Sequence, residues 1–393
     1  MPQTRRIESI DFWRGLALLF IFVDHLPGNP LAGFTPRNFG FSDATEGFIF
    51  LSGVSLAYVY WPKFVAGEAA KVGWRCLRRA GQIYSAHMAV SASVLAIFAI
   101  GYFLSGHAEL LGNDGRAQFF TQPIASTIGL FALGYQLGYA NVLPVYVALL
   151  FMAPVLMDLL RHRLWLGLSV SIALYIAAQF GLRLPSWPGP DTWFLDPFAW
   201  QLLFTLGLAA GIHLHSWDFR QPFPISPFLL AVAVGVLLFA LAVETDAFGL
   251  APGLSARATA AYFTDKQLLG YGRLGHFLAL AYVLLATNAA SRLLRIPGAR
   301  EISRLGRNSL TVFSVGIVLS AVGQLTLDLC MGIENPYLFG TIGLSVLALG
   351  GASLLFLAKI LEWKKARHLL GRAESAPTAV IASQNLPAPS RSF

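Results

Sequence analysis

A chain of 393 residues with 56% apolar side chains, only 12% charged ones and a mean hydropathy of +0.61 is not an ordinary soluble domain, in which roughly a quarter of residues are charged. Its 28 Lys and Arg against 20 Asp and Glu leave a net charge of +8, but the excess sits in short segments between apolar runs. That distribution excludes a nucleic-acid-binding face and points to an all-α polytopic membrane protein.

Charge-poor runs long enough to cross about 30 Å of hydrocarbon fall at about residues 8–27, 40–61, 82–104, 140–161, 164–182, 196–214, 223–244, 267–289, 308–329 and 336–361. In the first, DFWRGLALLFIFVDHL, eleven steps of 100° bring Arg14 and His25 within about 20° of the same helix face, roughly 16 Å apart along the axis. Ionisable groups in hydrocarbon need water, a partner or a ligand, so this face is read as functional. Asp11 can pair with Arg14 at i, i+3. Asp24 and His25 lie at the other end, where Pro27 stops the helix. No small-residue cleavage site follows, so the segment is expected to remain in the mature chain.

The second run opens FGFSDATEGFIFLSG, with Asp43 and Glu46 again at i, i+3. They are placed to orient His25 or to hold sugar hydroxyls, and a carboxylate beside an imidazole raises its basicity. Asp43 can equally be the helix N-cap. The following loop, 62–81, concentrates Arg75, Arg78 and Arg79. His87, near Tyr84 in the third run, reads as a hydrogen-bonded helix contact.

Between 105 and 139 the apolar stretch QPIASTIGLFALGY is too short to span comfortably, and residues 124–137 read as re-entrant or interfacial. The 183–200 loop carries Trp187, Trp193 and Trp200, either a stacking platform for sugar rings or an interfacial Trp belt. The eighth run places Arg273 and His276 at i, i+3, with Lys266 before them. The 290–307 loop is basic and includes Arg304 and Arg307.

Counting both termini on one side places 21 of the 28 Lys and Arg there, against Arg37, Arg116, Arg183, Arg257 and Lys266 on the other. By the positive-inside rule both termini face the cytoplasm. Cys76 and Cys330 then lie on opposite sides, which rules out a disulfide between them. The chain divides into a membrane domain, residues 1–365, and an Ala-, Ser- and Pro-rich tail, 366–393, expected to be disordered.

The R-x10-H of Arg14 to His25, followed by F-x-L-S-G at Phe50 to Gly53, resembles the signature of the acyltransferase-3 superfamily of membrane acyltransferases. DFWRGLALLFIFVDHLPGN, NFGFSDATEGFIFLSG, LPVYVALL, DPFAWQLLF and GRNSLTVF are similar, more closely, to the OpgC family, whose members transfer succinyl groups to osmoregulated periplasmic glucans. The resemblance implies a multi-pass bacterial inner-membrane enzyme. It would take an acyl group, succinyl, from cytoplasmic acyl-CoA as co-substrate and place it on a periplasmic glucan. Arg14 is the matching position for donor binding and His25 the one for catalysis.

The remaining roles follow from chemistry. Arg75, Arg78, Arg79, Arg304 and Arg307 would meet the phosphates of CoA through charge-assisted bonds. Asp43 and Glu46 join His25 in the catalytic set, and Arg273 would receive the free carboxylate that distinguishes succinyl from acetyl. His276, Asp24 and Trp193 complete the substrate side. No clustered His and carboxylate pattern calls for a metal. A proton-coupled transporter would also carry His and carboxylates in its spans, and acetyl transfer to another cell-surface glycan is the nearer alternative.

Overall fold

The computed structural model describes residues 8–189, 191–216, 225–246, 263–330 and 335–374. Arg5, Arg6, Pro190, Arg220, Arg257 and the 375–393 part of the tail lie outside the described residues. Within them the fold is all-helical, with one isolated bridge, Pro185 to Thr192, in place of any strand.

Every expected apolar run has its helix. In chain order they are α1 (Glu8–Asp24), α2 (Ala44–Val65) and α3 (Ala69–Ser105); the short α4 (Glu109–Gly112), α5 (Arg116–Thr121) and α6 (Pro123–Phe131); then α7 (Val142–His162), α8 (Leu164–Gln179), α9 (Pro197–Ser216) and α10 (Pro227–Glu244); and finally α11 (Tyr271–Ala286), α12 (Ala289–Leu293), α13 (Ala299–Arg307), α14 (Ser309–Leu329) and α15 (Pro336–Glu374). Seven of them are long and apolar enough to cross a membrane, and α8 and α11 are shorter apolar helices. At 16 residues each, α8 and α11 reach about 24 Å. Phe103, Phe180, Phe228 and Phe356 are exposed on the outside of the bundle, the arrangement hydrocarbon favours, since the helices satisfy their own backbone groups.

Two boundaries differ from the sequence reading. The basic 62–81 loop is largely helix, because α3 begins at Ala69 and carries Lys71, Arg75, Arg78 and Arg79 on its first turns. At the other end α15 continues to Glu374, so helix extends nine residues past position 365. The 105–139 segment contains no spanning helix. Its longest element, α6, has nine residues, about 13 Å, and is held by Tyr84, whose hydroxyl donates to the Phe131 carbonyl at 2.9 Å.

Two glycine-mediated crossings set the geometry of the core. A Cβ on Gly15 would fall on the Ile302 carbonyl, and one on Gly306 on the Asp11 carbonyl, so α1 and α13 meet backbone to backbone. Gly53 and Gly207 do the same for α2 and α9, whose facing carbonyls are those of Phe204 and Phe50. Small residues permit such approaches between membrane helices, where packing rather than water drives association. The glycine of F-x-L-S-G therefore has a packing role.

Candidate active site

The chain leaves α1 through His25, whose backbone N–H still donates to the Ile21 carbonyl at 3.0 Å. Asn29 ends the turn by donating to the carbonyls of Val23 and Leu26 and accepting from the Ala32 N–H. This fixes the imidazole at the rim of a cavity of about 340 Å3, whose polar wall includes Asp24, His25, Arg37, Asp43, Asp114, Tyr139 and Lys266. The His25 ring stacks on Tyr139, with centroids 4.1 Å apart and planes 24° from parallel. A smaller void below it is lined by His25, Ile21, Phe313 and Ile317.

Asp43 and Glu46 sit where the sequence places them, but their oxygens are already engaged. They form a capping box on α2: Asp43 Oδ1 accepts the Thr45 N–H at 2.8 Å and Glu46 Oε2 accepts the Asp43 N–H at 2.9 Å. Asp43 Oδ2 receives Lys266 Nζ at 2.6 Å and Arg273 Nη2 at 2.9 Å, while Glu46 Oε1 receives Arg273 Nε at 2.7 Å. Two carboxylates and two cations thus close a neutral cluster around Glu46, which is wholly buried. The ring partner of His25 is Tyr139, and Glu46 faces away from the cavity.

Of the four expected substrate contacts, Arg273, His276 and Trp193 are placed away from the cavity and Asp24 on its wall. Arg273 directs its fork to Asp43 and Glu46, and the cations that reach the cavity are Lys266 and Arg37. His276 is buried under the 40–42 turn: its Nδ1 shares a 2.7 Å hydrogen bond with Ser42 Oγ, and its ring fills the space a Cβ on Gly40 would need. Trp193 is buried, as is Trp200, whose indole N–H donates to the Lys266 carbonyl at 3.1 Å. No three-Trp platform forms, because Trp187 is the exposed one of the three and the aromatic on the cavity wall is Phe194. Asp24 does line the cavity, accepting the Thr35 hydroxyl at 2.6 Å and facing Arg37 at 3.4 Å.

At the far end of α1, Arg14 donates to Ser309 Oγ at 2.6 Å and lies 6.0 Å from the centre of the Phe48 ring. Phe48 stacks on Phe313 at 5.9 Å, and Phe313 lines the void beneath His25. The two ends of the functional face are therefore joined through one aromatic pair. Arg307, expected to meet phosphate, is instead forked onto Glu362, with Nη2 to Oε2 at 2.9 Å. Arg304 also reaches Glu362, at 3.5 Å. Arg79 donates to Gln82 at 3.0 Å, and Arg78 is exposed. His87 departs from its expectation as well, since it is fully buried and neither ring nitrogen has a hydrogen-bond partner.

Sequence reasoning gave no site role to Tyr139, Asp114, Gln136 or Arg116, all from the outer segment 105–139. The available signal was charge: Asp114 and Arg116 flank a glycine. Among the described residues no group of three or more His, Cys, Asp or Glu is placed to hold a metal ion.

A bundle of apolar helices enclosing a polar cavity, with an imidazole at its rim and an arginine in phase on the same helix, has the character of a membrane-embedded enzyme. The chain belongs to the OpgC family: the family model described as OpgC protein matches residues 5–366, nearly its whole length. That membership makes it an acyltransferase of the membrane. No curated protein and no solved structure matches the chain.

Proposed function

We propose that the protein is an inner-membrane O-acyltransferase that moves a succinyl group from cytoplasmic succinyl-CoA to a hydroxyl of a periplasmic glucan, with both termini cytoplasmic. The observation that carries the reading is the placement of His25, at the wall of the polar cavity and on the same helix face as Arg14. The cavity takes the glucan hydroxyl, and His25 acts as general base as that hydroxyl attacks the thioester carbonyl. The thiolate of CoA leaves, and the proton taken by the imidazole is then available to it.

Arg14 holds the donor near its thioester, while Arg75, Arg78 and Arg79 on the first turns of α3 supply charge for the CoA phosphates. Asp43 and Glu46 act indirectly. By pinning Lys266 and Arg273 they shape the cavity wall on which the sugar rests, and Asp24 offers a carboxylate to its hydroxyls.

Mass spectrometry of periplasmic glucans from cells with and without the gene tests this. Succinyl additions of about 100 Da present with the gene and absent without it are the expected result. Identical spectra would overturn the glucan acceptor, and acetyl in place of succinyl would overturn the donor.

A further inference from the structure

The acyl carboxylate needs a cation, and the sequence candidate Arg273 is fully engaged. Lys266 and Arg37 reach the large cavity, but Lys266 is bonded to Asp43 and Arg37 is half-exposed beside Asp24. A different guanidinium meets the requirement. Arg116 is only 2% exposed, its Nε donates to the Leu110 carbonyl at 3.0 Å and its Nη1 to Asp114 Oδ2 at 3.1 Å, while Nη2 is buried with no acceptor. An unmet N–H on a buried cation costs more than an ordinary hydrogen bond gains, so this atom calls for a ligand.

The space beside it has the matching shape. Arg116, Asp114, Gln324 and Tyr139 form the polar lining, and Phe98 and Ile317 part of the apolar lining, of a void of about 20 Å3, enough for one small polar group and far too little for a sugar ring. Phe98 lies under the guanidinium at 3.6 Å, Ile317 and Ala321 add apolar wall, and the Gln324 amide donates to Asp114 Oδ2 at 3.1 Å, sharing with Arg116 the one carboxylate in the void. Tyr139 belongs to this void and to the large cavity alike, and its other neighbour is His25. Three carbon–carbon bonds set a succinyl carboxylate carbon about 4 Å from its thioester carbon.

We infer that Arg116 binds the free carboxylate of a dicarboxylic acyl group whose thioester lies beside His25, and so selects succinyl over uncharged acyl donors. This rests on the acyltransferase reading above. The planar fork of arginine fits a carboxylate in a way the ammonium of lysine does not.

The test uses the full-length protein in proteoliposomes with glucan and one of three donors: succinyl-CoA, acetyl-CoA or butyryl-CoA, the last keeping four carbons without the charge. Wild type should prefer succinyl-CoA. Arg116→Gln should raise KM for succinyl-CoA on the order of 10- to 100-fold, the loss expected for one charge-assisted bond, and leave acetyl-CoA within about twofold. Arg116→Lys should recover part of the loss. Equal losses with both donors would make Arg116 a structural group and overturn the inference. Should the variants not insert, the wild-type protein still decides, because equal use of butyryl-CoA and succinyl-CoA is incompatible with a carboxylate anchor. No transfer from any CoA donor by wild type would instead overturn the acyltransferase reading, and this inference with it.

Discussion

The two ends of α1 carry the two residues of one functional face in opposite surroundings. At the His25 end the bundle opens into a cavity of about 340 Å3 with charged walls. At the Arg14 end it closes: Gly15 and Gly306 bring α1 and α13 to backbone contact, and the Arg14 guanidinium reaches Ser309 just beyond that crossing. The difference assigns distinct physical jobs. On the proposed function the open end takes the sugar acceptor, and the closed end, beyond the Phe48–Phe313 pair, takes the donor.

The largest expected effect lies at the open end. His25→Ala should lower acyl transfer by about 10²- to 10⁴-fold, the range a positioned general base contributes, while binding of CoA to the purified protein changes little. The loss of a rim imidazole leaves no buried charge unpaired, so the variant should remain folded. Transfer near the wild-type rate by well-folded protein would break the comparison at its first term.

Next comes the cluster that frames the cavity. Removing one member of a buried ion pair strands its partner, at a cost of about 3–5 kcal/mol. Glu46→Ala, which leaves Arg273 and Lys266 to share Asp43 alone and also removes half of the α2 capping box, should therefore lower thermal stability and yield in detergent far more than His25→Ala does. Arg273→Gln should behave likewise, with activity falling equally for succinyl-CoA and acetyl-CoA. A selective loss with succinyl-CoA would return Arg273 to the acyl pocket.

The closed end should respond through the donor alone. Arg14→Ala should raise KM for acyl-CoA by about 10- to 100-fold, consistent with removal of a charged hydrogen bond, with KM for glucan unchanged. Arg14→Lys should restore part of it, since an ammonium keeps the charge without the planar fork. A shift in the glucan KM instead would mean that the two ends are not functionally separate.

How much of this was legible beforehand divides along the range of the contacts. The phase of Arg14 and His25, the closeness of Asp43 and Glu46 at the start of α2, and the placing of the helices follow from spacing within one element, and the last two reappear directly in the fold. What the sequence concealed was long-range pairing. Lys266 and Arg273 meet Asp43 and Glu46 across more than two hundred residues, and Arg307 meets Glu362 across fifty-five. Arg273 and Arg307, both expected to face a ligand, are engaged that way within the protein. Tyr139 and Arg116 were missed for a related reason: they stand in short irregular elements where no period of 3.6 marks a buried face. The motif GRNSLTVF is explained only in three dimensions, where Gly306 meets the Asp11 carbonyl, Ser309 meets Arg14 and Phe313 meets Phe48.

The smallest expected effect sharpens the contrast between the solvated charge on the cavity wall and the buried charge in the cluster beside it. Arg37 faces Asp24 at 3.4 Å with half its side chain exposed, whereas Arg273 is nearly buried against the same kind of partner. Solvent screens the first pair and side-chain entropy opposes it, so it contributes about 0–1 kcal/mol. Arg37→Gln should thus leave thermal stability essentially unchanged and alter the glucan KM by no more than about threefold, a change smaller than 1 kcal/mol. High salt should reduce that difference further, because screening acts on exposed charges first. Stability loss in Arg37→Gln comparable to that of Arg273→Gln would show that the rim is as tightly organised as the cluster beneath it, and that the cavity is rigid where the comparison holds it to be open.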